Sequence, residues 1–130
     1  MTKEKDFEKG YKKYESKANE YLNNKEKADD LLKEAMKKAN DKKGALSEVW
    51  EKLQLLFEIF KAWIKGEYRE IPTGSIIMII AGILYFVSPV DLVPDFIAGL
   101  GLIDDATVIG FVLKKISDDL DKFREWKEQY

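Results

Sequence analysis

The sequence predicts an all-α protein, a four-helix arrangement with a central apolar helical hairpin and a long charged N-terminal helix. Three observations predict it. Apolar residues recur at helical spacing through most of the chain. Gly44, Gly66 and Pro89 stand where those patterns stop. No stretch alternates apolar and polar residues as a half-buried strand would. Helices are expected near 5–40, 46–66, 74–88 and 104–126, with a short helical or turn segment at 92–98.

The first helix carries a narrow seam. Phe7, Tyr11, Tyr14, Ala18, Tyr21, Ala28, Leu32, Ala35 and Ala39 follow alternating steps of four and three, and Lys25 fills the one slot that interrupts them. That spacing is the 3.5-residue period of a docked or coiled helix. The seam is poor in branched aliphatics, so its burial is expected to contribute little per turn and the helix to be dispensable for folding. Gly44, preceded by Lys42 and Lys43, reads as its C-terminal cap.

Ser47 with Glu48 can start the second helix. Leu46, Val49, Trp50, Leu53, Leu56, Phe57, Phe60, Trp63 and Ile64 form a stripe wide enough for burial on more than one side. Gly66 ends it. Pro72 to Ser75 opens the third helix, an unbroken apolar run of 12 residues from Ile76 to Val87 that Pro89 stops. The last helix presents Ile109, Val112, Leu113, Ile116, Leu120 and Phe123 on one face. The chain divides into a charged helix over 1–43 and a helical domain over 44–130, with the apolar hairpin at 71–113.

Composition excludes more chemistry than it offers. Charged residues make up 35% of the chain, yet the net charge is only −2, so no global field argues for nucleic acid. There is no Cys and no His. Thiolate catalysis, Ser-His-Asp arrangements and most transition-metal sites are therefore ruled out. Carboxylates, Lys or Tyr would have to supply any acid–base chemistry. The opening MTKEKDFEKGYKKYE has no apolar core of a signal peptide, so the chain is expected to begin in the cytoplasm.

Charge is distributed unevenly. Residues 1–70 hold 17 of the 22 Lys and Arg, whereas 71–113 hold none, and four Asp. A membrane span needs about 20 mainly apolar residues. The uncharged stretch 71–90 reaches that length, while 96–113 carries Asp104 and Asp105 at its centre, a costly place for charge. Lys61, Lys65 and Arg69 precede the apolar region, Lys114, Lys115, Lys122 and Arg124 follow it, and Asp91 and Asp95 lie in its turn. That is the pattern of a membrane-associated hairpin with both termini in the cytoplasm and Asp91 and Asp95 at its tip. A soluble cytoplasmic core helix is the competing reading of the same 12-residue run.

The stretch SPVDLVPDFIAGLGLIDDATV, from Ser88 to Val108, resembles the core motif of the YkvA-like proteins, a bacterial family built on a domain of unknown function. Pro89, Asp91, Pro94, Asp95, Gly101, Asp104 and Asp105 carry the resemblance, which extends over about 75–113. Ala98 departs from it, standing where the family pattern carries a proline. The resemblance implies a small helical, often membrane-associated protein. It implies no activity.

The aspartates have a structural reading and a chemical one. Asp91 can cap a helix starting near Leu92, and Asp104 can cap the last helix with Asp105 at its positive end. Alternatively, Asp91, Asp95, Asp104 and Asp105 form a hard-cation site for Mg²⁺ or Ca²⁺, even a carboxylate-based enzyme. We expect capping, without a cofactor. Asp104→Asn should then be tolerated, Asp104→Ala should cost about 0.5–2 kcal/mol, and neither ion should move the melting temperature. A metal-dependent rise in Tm that vanishes in Asp104→Asn would establish the cation site instead. The functional expectation is a small non-enzymatic protein of the cytoplasmic membrane that binds a protein partner or a second copy of itself, in an immunity or stress-related role.

Overall fold

The computed structural model describes residues 17–87 and 105–129 of the 130-residue chain. Every regular element among them is helical. A first helix, α1, is seen over 17–22. It is followed by α2 (Lys25–Asp41), a single 3₁₀ turn (Ser47–Val49), α3 (Trp50–Ile64), α4 (Thr73–Val87), α5 (Asp105–Lys115) and α6 (Ser117–Gln129). The all-α expectation holds, but two of the four expected helices are each divided.

The helix expected over 5–40 is interrupted at Asn23 and Asn24. Asn24 takes an extended conformation (φ −134°, ψ 96°), and its side-chain oxygen accepts the Lys27 N–H at 3.0 Å. Asparagine competes with the helix for its own backbone in this way, which makes it a strong N-cap. The seam continues across the break, which is why periodicity alone concealed it. Lys25, the residue that interrupted the seam, is the first residue of α2. The opposite end of α2 also differs from expectation. It stops at Asp41 with Lys42 as its cap residue, and Gly44 has an ordinary negative φ, so it is not the left-handed cap.

The seam is buried more deeply than its composition suggested. Ala28, Leu31, Leu32, Ala35 and Ala39 of α2 all belong to the core. Small residues let α2 lie close along α3 and α4. The reading of this helix as contributing little burial is therefore corrected: alanine supplies little area itself, but it covers the area of its neighbours.

Helix α3 starts without a side-chain cap, since neither Ser47 nor Glu48 caps it, and buries Leu53, Leu55, Leu56, Phe57, Ile59, Phe60 and Ala62. Burial on more than one side follows from its contacts with α2, α4, α5 and α6. Gly66 terminates it as expected. With φ at +76°, Gly66 donates its N–H to the Trp63 carbonyl at 3.0 Å, and Glu67 donates to Ala62 at 2.9 Å. This pair of bonds is the Schellman closure, which requires a left-handed residue that glycine supplies without strain.

Helix α4 is apolar on all sides and buried on nearly all of them, from Ile76 through Ile79 to Phe86. A helix of that kind belongs at the centre of a core or in a membrane. Here α2, α3 and α5 cover it. The expected last helix is divided at Ile116 into α5 and α6. Its hydrogen bonding is almost continuous, with Ile116 N–H on Val112 at 3.1 Å and Leu120 N–H on Ile116 at 3.0 Å. All six residues of its expected apolar face are buried. The division lets α5 lie on α4 while α6 turns toward α3.

Candidate functional site

Of the motif residues, Pro89, Asp91, Pro94, Asp95, Gly101 and Asp104 lie outside the described residues, as do the expected 92–98 segment and the hairpin tip. Asp105 is the first residue of α5, so the last helix begins where the sequence placed its acidic start. Among the described residues no three carboxylates are grouped as a metal site.

The flanks of the motif are well defined. Ser75 meets Asp119, and Gly82 meets Val112. Rising numbers on α4 thus meet falling numbers on α5 and α6, so α4 runs antiparallel to both. The C-terminal end of α4 and the N-terminal end of α5 therefore lie at the same end of the pair.

Each end of α4 receives a charge from another helix. No acidic residue occupies its first turn and no basic residue its last. At its N-terminal turn the Ser75 hydroxyl donates to the Asp119 carboxylate of α6. At its C-terminal turn Lys38 of α2 donates to the Phe86 carbonyl and lies 5.1 Å from the Phe86 ring. Both charges have the sign that the helix dipole favours. Sequence reading missed both, because the partners are 44 and 48 residues away.

A second cluster surrounds the end of α3. The Lys25 ammonium donates to the Trp63 carbonyl at 3.3 Å and lies 3.4 Å from the centre of the Trp63 ring. Burial lowers the Lys25 pKa below its ordinary value, and the charge of Arg69 lowers it further. The Arg69 guanidinium folds over Gly66, where an added Cβ would stand 2.9 Å from its Nη2. Beneath this turn Tyr68 is buried against Phe123 and Trp126, with ring centres 5.1 Å away in each case. Burial raises the Tyr68 phenol above its usual pKa, and the charges of Glu70 and Asp119 add to the effect. Lys25 had a signal in the sequence, its place in an apolar seam; Arg69 had none beyond its charge. A separate open groove of about 510 Å³ lies between the 3₁₀ turn and α5, bordered by Glu48, Lys52, Gly110 and Lys114.

This is a helical bundle built round one apolar helix, in which α4 leads into the acidic motif and α5 leads out of it. The family model described as "Protein of unknown function (DUF1232)" matches residues 75–111, which run from the first turn of α4 into α5. The "Uncharacterized membrane protein YkvA" of Bacillus subtilis (strain 168) is 37% identical over 73 residues, covering 56% of this chain and 69% of that protein. The chain belongs to this YkvA-like family of unknown function. No solved structure matches it. The relative's name gives membrane association its support. Among the described residues, however, no helix is long and apolar enough to cross a membrane. The 15 residues of α4 extend about 22 Å at 1.5 Å per residue, short of a hydrocarbon core of about 30 Å.

Proposed function

We propose that this chain is a small non-enzymatic helical protein that works on the cytoplasmic face of the membrane, attached peripherally, by binding a protein partner. Its termini are on the cytoplasmic side. One observation carries the peripheral mode: α4 is sheathed by α2, α3 and α5 and held at its ends by Asp119 and Lys38. Moving α4 into lipid would strip off amphipathic helices and break both contacts. An intact bundle on the surface keeps them, and agrees with the membrane name of the relative.

Fractionation of cells expressing the full chain tests this. The protein is expected in the membrane pellet and is expected to leave it in alkaline carbonate without detergent. Retention until detergent is added would mean a spanning hairpin. Absence from the pellet at low salt would remove the membrane from the reading.

A further inference from the structure

We propose that the turn joining α3 to α4 is a docking site for anionic phospholipid headgroups, with Lys25, Lys65 and Arg69 as the cations and Trp63 as the aromatic anchor. The inference rests on the peripheral membrane reading above and supplies its contact surface.

The cations lie at one turn: Lys25 reaches it from α2, and Lys65 and Arg69 belong to the turn itself. Lys25 arrives from α2 and is seated on the Trp63 ring and carbonyl. Lys65 is the exposed cap residue of α3. Arg69 folds back over Gly66, the next residue after Lys65. Gly66 leaves room for the guanidinium as well as stopping the helix; at its φ of +76° a side chain would be strained in any case. Among the described residues none of the three cations lies within ion-pair distance of a carboxylate. Glu67 and Glu70 flank Arg69 in sequence without pairing to it. Elsewhere on the bundle Lys27–Glu20, Lys33–Asp29 and Lys127–Glu58 are ion pairs, whereas the exposed Lys37, Lys52 and Lys61 are, like these three cations, without one among the described residues. Here like charges lie close together: burial lowers the Lys25 pKa, and the charge of Arg69 lowers it further.

An anion relieves that repulsion. A bilayer surface suits the site better than a lone ion, because the cations are spread along a turn and flank a half-buried indole. Indole rings favour the headgroup layer, and Lys and Arg favour anionic lipid beside it. The net charge of −2 leaves the rest of the molecule without a general attraction for polyanions, so the effect is local.

The test is flotation of the full chain with vesicles of phosphatidylcholine alone or mixed with phosphatidylglycerol. The chain is expected to float with the mixed vesicles only, and to be released by salt. Each cation near an anionic surface contributes roughly fivefold to partitioning, so Lys65→Gln/Arg69→Gln should weaken binding roughly 25-fold. Both side chains are exposed and unpaired, so this variant should melt like the wild type. Lys25→Gln should weaken binding too; its contacts with Trp63 make an equal Tm the necessary control. If the double variant floats as well as the wild type, or if the wild type floats equally with neutral vesicles, the cationic turn is not the contact, while the membrane reading stands. If the wild type floats with neither, both readings fall.

Discussion

A chain shortened to begin at residue 44 is expected to be insoluble or to lack a cooperative thermal transition. The reason is the position of α2 rather than its own hydrophobicity. It places Leu31 and Leu32 in the core beside Ala28, Ala35 and Ala39, and all of them are less than 5% exposed. Burial of the two leucines alone is worth about 3–6 kcal/mol. Removing α2 also uncovers the side of α4 on which it lies and leaves the Phe86 carbonyl without Lys38. The isoleucine-rich surface so exposed should cost at least as much again. A domain of this kind has a total stability of about 5–15 kcal/mol, so the loss is comparable with the whole. Size-exclusion chromatography and circular dichroism of residues 44–130 decide the matter. A monodisperse, helical, cooperatively melting product would show that α3 to α6 form the core without α2.

Much of this architecture was legible because the signals are local. Gly66 ended α3 for a reason written in one residue, and the apolar face from Ile109 to Phe123 followed from spacing alone. The break at Asn24 was missed because the seam runs on through it, so periodicity and capping gave different answers and the cap won. The break at Ile116 leaves even the hydrogen bonds nearly continuous. Gly44 looked like a cap by composition, but α2 closes on Lys42, whose N–H reaches the carbonyls of Lys38 and Ala39. The charges at the ends of α4 and the convergence of Lys25 with Arg69 depend on helix packing, which no short-range pattern encodes. As for the acidic motif, the sequence identified the family through it, and the structure describes its two flanks. The 12-residue apolar run was compatible with both a core and a membrane; that α2, α3 and α5 cover it could not be read from its own composition.

Gly82→Leu is expected to destabilise the protein by about 3 kcal/mol, the upper part of the usual range for overpacking. Helix α4 packs closely on α5 here: a Cβ built on Gly82 would stand 2.5 Å from Val112 Cγ2 and 3.4 Å from Val112 Cβ. Valine is β-branched and has little rotamer freedom in a helix, so it cannot turn aside. Val112 is fully buried, which leaves it no space to retreat into. Intrinsic helix propensity works in the opposite direction, since replacing a mid-helix glycine by a better helix former gains nearly 1 kcal/mol. A measured loss would therefore be a packing cost and not a propensity cost. Adding Val112→Ala to Gly82→Leu removes the two methyl groups at the point of collision. The double variant is expected to be more stable than the sum of the two single changes predicts, by at least about 1 kcal/mol. Urea denaturation of the four proteins measures this coupling. Strictly additive changes, or a Gly82→Leu protein with an unchanged midpoint, would mean that α4 and α5 do not pack through Gly82, and would remove one of the contacts that make the two helices antiparallel.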